Sequence, residues 1–244
     1  MTQLLRMLVL FCSVLGPTAS IAQTRLSPDL SNTPLERFES YGQSALQTLL
    51  RFGFETKLPL GLVLANDALC KTTVTVAVPG QPAASMLDEL MTEIPEYGWS
   101  LRNGVVIAQP KNTPSTTTQF LHIVLPRFVA PQGPLRAQQA FLSMFVKAVF
   151  KPSEGTMLNV ATSPAERELP ALQMKQATVE EALSRLVSRK PGGIWILFPI
   201  PDDLSKTSDH PFAAVFSYAD DASKIAEVSC SSAKEPSGEP SNPH

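Results

Sequence analysis

Apolar and polar positions alternate in two rhythms along this chain, and the rhythms change at proline, glycine and asparagine. Thr33-Pro34-Leu35-Glu36 carries a helix-opening pattern, with a capping hydroxyl, proline at the first helical position and a capping-box carboxylate. Phe38, Tyr41, Ala45, Leu46, Leu49 and Phe52 follow at helical spacing, and Gly53 marks a stop. Gly61 to Leu64 is a short apolar run that reads as a strand. From Thr72 to Val78 the period is two: Val74, Val76 and Val78 face one way, and Thr73, Thr75 and Ala77 the other. After the Pro79-Gly80 turn, Ala83, Met86, Leu87, Leu90 and Ile94 predict a helix over 82–94. Strands are expected over 99–102 and 105–108, joined at Asn103-Gly104, a dipeptide that favours tight hairpins. The expected order of this stretch is α-β-β-α-β-β.

A similar succession follows. Residues 120–125 read as a strand, 134–150 as a helix, and 157–160 and 169–174 as strands. Thr178, with Glu181 three residues on, predicts a capped helix whose apolar face is Val179, Ala182, Leu183, Leu186 and Val187. Residues 193–198 and 212–218 read as closing strands, separated by a long loop over 199–211. Sliding the chain by 96 positions superposes Trp99 on Trp195, Leu87 on Leu183, Leu90 on Leu186 and Pro95 on Pro191. The predicted fold is therefore α+β: two tandem small units, each with about two helices packed on a small mixed or antiparallel sheet. The units are placed at 34–110 and 119–218, with a linker at 111–118. The two tryptophans, Leu87 and Leu183 are the expected core anchors. Exposed ligand platforms are the alternative for Trp99 and Trp195.

Residues 1–22 read as a secretory signal: Arg6, an apolar run from Met7 to Leu15, and a small-residue cleavage pattern at Ser20-Ile21-Ala22. Phe11 before Cys12 does not fit a lipid-attachment site. Residues 23–33 are expected as a mobile leader and 219–244 as a disordered tail, on polar composition alone. An exported protein of the periplasm or medium is expected, with no membrane insertion after signal removal. Cys70 and Cys230 survive processing. They form either one disulfide in an oxidising compartment or two isolated thiols. A formal charge of −2 over 244 residues gives no footprint for nucleic acid.

Residues 44–110 resemble the secretin and TonB short N-terminal domain. The likeness rests on the helix Ala45-Leu46-Gln47-Thr48-Leu49-Leu50, the strand Gly61-Leu62-Val63-Leu64 and the alternating strand Val74 to Val78. It continues through the helix carrying Leu87-Asp88-Glu89-Leu90, then Trp99 and Gly104-Val105-Val106-Ile107. Residues 172–198 repeat the later half, with Ala177-Thr178-Val179-Glu180-Glu181-Ala182-Leu183. The resemblance implies a small α+β interaction module of the bacterial envelope. Neither a secretin core nor a β-barrel follows, so pore and receptor activities are not implied.

Catalytic patterns are missing from the sequence. His122 falls in a predicted strand, His210 in a loop and His244 at the end. Asp202, Asp203, Asp209 and His210 share a loop without regular calcium-loop spacing, and a solvated polar loop accounts for them. Ser231-Ser232-Ala233-Lys234 matches a Ser-x-x-Lys pattern without its companion motifs. No phosphate loop, dinucleotide fingerprint or nucleophile elbow occurs. The expectation is a non-enzyme without cofactor or metal that binds envelope proteins. Partners would dock at unpaired sheet edges, with Val105, Val106 and Ile107 on one edge and Phe212 and Val215 on another. Two alternatives stand beside it. One is a small-molecule or glycan binder, or an unfamiliar hydrolase, using a cleft between the units. The other is a ring-forming structural subunit.

Overall fold

The computed structural model describes residues 30, 35, 38–64, 67–77, 80–150, 168–198, 212–216, 226 and 230. The expected signal, leader, cap at Thr33, strand over 157–160, loop over 199–211 and tail lie outside the described residues, apart from Leu30, Ala226 and Cys230.

The first described element corrects the sequence pattern. Glu39–Ser44 is a strand, β1, and the helix α1 begins only at Ala45 and runs to Thr56. Two features stop the helix from starting earlier. Gly42 has a φ of +63°, and the strand bulges between Tyr41 and Gln43. Ser44 then caps α1 by accepting a hydrogen bond from the Gln47 amide at 3.2 Å. Tyr41, placed by spacing on the apolar helix face, is 61% exposed, whereas Phe38 and Ser40 are buried. The Ser40 hydroxyl meets the Thr48 hydroxyl at 2.7 Å, fastening β1 to α1.

Beyond α1 the chain forms β2 (Leu60–Val63), the short α2 (Ala68–Lys71), β3 (Thr73–Ala77), α3 (Ala83–Glu93), β4 (Tyr97–Arg102) and β5 (Val105–Pro110). Then come α4 (Ser115–Leu121), β6 (Val124–Ala130), α5 (Leu135–Phe150), β7 (Leu172–Thr178), α6 (Val179–Val187), β8 (Gly193–Leu197) and β9 (Phe212–Phe216). The fold is α+β. The segment expected as a linker is partly helical: Thr117, Phe120 and Leu121 recur at helical spacing and are buried, so α4 packs rather than hangs free. His122 is the residue after this helix, not a strand residue.

The strand pairing changes the expected architecture. β1 pairs with β3, and β6 with β7, each pair antiparallel. The remaining strands join one five-stranded sheet in the order β4-β5-β2-β8-β9. β5, β2 and β8 run parallel, flanked by antiparallel β4 and β9. Strands from both halves of the chain thus share a sheet, in place of one separate sheet per unit.

Alternate residues of this sheet enter two cores. Leu60, Leu62, Val106, Ala108, Ile194 and Ile196 face the core built with α1 and α3. Val63, Val105, Ile107, Trp195 and Leu197 face the core built with α4, α5 and α6. A sheet covered on both faces explains why Gly61 to Leu64 and Gly193 to Leu197 read as continuous apolar runs. Gly61 has a specific reason to be glycine. Its register partner across β2 and β8 is Trp195, and a Cβ at Gly61 would lie 2.3 Å from the indole ring.

The 96-residue spacing holds where the elements coincide: α3 starts at Ala83 and α6 at Val179, and β4 starts at Tyr97 and β8 at Gly193. It fails earlier, since residues 96 positions after β1 fall inside α5. Trp195 is fully buried in the second core, whereas Trp99 is half-buried against the first, on the opposite face of the shared sheet. Leu87 and Leu183 are fully buried. Cys70 of α2 and Cys230 are disulfide-bonded, with Cα atoms 5.7 Å apart. Ala226 is buried in the first core nearby in sequence, so the chain's C-terminal region returns to the N-terminal half.

Candidate functional site

The turn at Asn103-Gly104 determines which backbone groups β4 offers to its surroundings. Both residues have positive φ, +53° and +73°, as a two-residue type I′ hairpin requires. Arg102 therefore faces Val105 as the first hydrogen-bonded pair, and Ser100 with Ile107 and Gly98 with Gln109 follow. The intervening residues turn their N–H and C=O groups the other way. On β5 this sends the Val106 amide to the Pro59 carbonyl at 3.0 Å, toward β2. On β4 it sends the backbone groups of Trp99 and Leu101 outward, where no further strand lies among the described residues.

This geometry relocates the edge predicted from sequence. Val105, Val106 and Ile107 are fully buried on a strand paired on both sides, so they are core and not a docking edge. The hairpin pattern identified both strands but not their order, and β5 became internal because β2 pairs with it. At the opposite end of the sheet lies β9, with Phe212 paired to Leu197 and Val215 to Ile194.

The two faces of β4 differ. On one, Trp99 and Leu101 pack on the first core, and the Trp99 indole N–H donates to Asp88 of α3 at 2.8 Å. On the other lie Gly98, Ser100 and Arg102. A shallow depression of about 170 Å³ opens here, lined by Gly98, Trp99, Ser100, Gln109, Pro110 and Lys111. Gly98 leaves it open: a Cβ there would meet only the Lys111 side chain, at 3.7 Å.

At the hairpin end, Arg102 ties β4 to α6. Its guanidinium lies 2.8 Å from the Glu180 carboxylate and donates to Gln109 at 2.6 Å. Its Nε is buried without a hydrogen-bond partner among the described residues. Glu180 is buried, in the first turn of α6 beside the capping box of Thr178 and Glu181. Burial pushes its carboxyl pKa above the ordinary 4.5. The charges of Arg102 and His122 oppose that shift, and Glu181 adds to it. In the sequence Glu180 stands only within the helix motif that starts at Ala177, and nothing near Arg102 marks it. No local spacing signals their meeting, because they are 78 residues apart.

Other candidates separate in space or fall outside the described residues. His122 is exposed, and its charge is felt at Glu180. His210, His244, the aspartates of the 199–211 loop and Ser231 to Lys234 are not described. Among the described residues no group of three His, Cys, Asp or Glu side chains is placed to hold a metal ion. No described helix is long and apolar enough to cross a membrane. Comparison with protein-family models, curated proteins and solved structures finds no match to this chain.

Proposed function

We propose that this chain is an exported, non-catalytic protein-interaction module of the bacterial envelope, an accessory to a secretion or receptor system. The reading draws on the sequence resemblance to the secretin and TonB short N-terminal domain. The observation that carries it is the edge of β4 that no other described strand covers, where outward backbone groups of Trp99 and Leu101 adjoin a half-buried indole. Such an edge is a ready template for an extended partner, because each added strand gains hydrogen bonds that do not depend on its sequence. The depression beside it, about 170 Å³, adjoins that edge and gives a side chain of an added strand somewhere to sit.

The test is capture from envelope extract of the source cell with the mature 23–244 protein, read by mass spectrometry against an unrelated exported control. Enrichment of one or two envelope proteins supports the reading. A clean negative with folded bait removes it and directs work to a metabolite and cation panel read by thermal shift.

A further inference from the structure

We propose, resting on the interaction-module reading, that β4 accepts an extended peptide whose side chains alternate between aliphatic and acidic. The backbone row defines the geometry. Trp99 and Leu101 offer two donors and two acceptors in line, so a bound strand lies beside β4 and extends the central sheet. Side chains of an added strand project alternately to the two faces.

On one face they meet Trp99 and Leu101, which are half-buried and apolar. That face also holds the Asp88 carboxylate, engaged by the indole, which disfavours a second carboxylate there. Aliphatic residues suit it. On the other face they enter the depression at Gly98, bordered by Lys111. Arg102 is already matched by Glu180, but no ion pair engages the Lys111 ammonium among the described residues. A carboxylate suits this face. Gly98 is the position that keeps room for it, since any side chain there projects into the same space.

The probes are two blocked peptides, acetyl-Thr-Val-Glu-Val-Glu-Val-amide and its counterpart with both glutamates replaced by lysine. Each is titrated into the 23–244 protein, followed by amide NMR shifts and hydrogen exchange. The expected result is slowed exchange at Trp99 and Leu101 with the acidic peptide, and binding about threefold weaker for the basic one, the size of an exposed ion pair. Gly98→Val fills the depression and is expected to weaken binding about tenfold while leaving the melting temperature unchanged or raised. Lys111→Glu is expected to reverse the preference between the peptides.

Shifts confined to other strands, equal binding of both peptides, or unchanged binding by Gly98→Val would each overturn the proposal. So would self-association through β4, read by light scattering at the same concentrations. Envelope capture with wild type and Gly98→Val separates the two levels. Capture by both leaves the interaction reading standing and removes the β4 site. Capture by neither removes the interaction reading itself.

Discussion

Gly61 and Glu180 show how single positions carry constraints of different physical kinds. At Gly61 the constraint is steric. The Trp195 indole occupies the space that a Cβ would need, and it is held by a fully buried strand. Gly61→Ala is expected to destabilise the protein by about 3 kcal/mol, seen in denaturant unfolding, with a changed near-ultraviolet tryptophan signal. At Glu180 the constraint is electrostatic. Its folded-state pKa is raised, so the folded protein holds this proton more tightly than the unfolded chain does. The stabilisation from that proton is fully present below about pH 4.5 and is lost as pH rises through the folded pKa. Glu180→Gln should therefore remove a decline in stability in the window just above pH 4.5, measured by unfolding from pH 4 to pH 7. An unchanged pH profile would contradict the assignment. Gln138 combines both kinds of constraint. It is fully buried, its amide donates to the Pro131 and Pro170 carbonyls at 2.9 Å, and its oxygen accepts from Arg189. Burial holds the Arg189 pKa below its ordinary value, so this contact joins two desolvated groups. Pro170 and Arg189 lie 32 and 51 residues from Gln138, and a lone glutamine in a helix pattern gives no sign of those contacts.

Among the elements, α6 was the most legible and β1 the least. The Thr178 hydroxyl accepts from the Glu181 amide at 3.1 Å, and the Glu181 carboxylate accepts from the Thr178 amide at 2.8 Å, as the capping-box spacing predicts. Thr178→Ala is expected to cost about 1 kcal/mol, read as a lowered melting temperature. Capping depends on residues three apart, and so it is written in the chain. β1 is a strand because β3 lies alongside it and a bulge at Gly42 redirects it, neither of which local spacing records. At β5 the strand itself was legible and its position in the sheet was not. Val106→Pro removes an N–H that bonds to Pro59 and places a ring in a strand paired on both sides. The expected outcome is loss of the folded state, read by circular dichroism. An edge strand would have tolerated the change.

At the scale of the molecule, the central sheet couples the two halves. Residues 23–112 expressed alone would expose Val63, Val105 and Ile107 together with the β8-facing side of β2. That fragment is expected to aggregate or remain unfolded in sizing and NMR experiments, while the 23–244 protein unfolds in one transition. The Cys70–Cys230 bond closes a loop with a sequence separation of 160, so its removal relieves a large constraint on the unfolded chain. Reduction, or the Cys70→Ser with Cys230→Ser pair, is expected to lower stability by about 4 kcal/mol in denaturant titration. The sequence by itself determined the α+β class, the capped helix at Thr178, the hairpin at Asn103-Gly104 and the 96-residue spacing from α3 to β4. These follow from side-chain periodicity, capping and turn chemistry, which act over a few residues. Tertiary structure decided that one sheet serves both halves, that β5 lies inside it and β4 at its edge, and that Arg102 meets Glu180. Strand order and buried charge pairing depend on contacts between segments far apart in the chain, and an apolar strand carries the same local pattern whether one or both of its edges are paired.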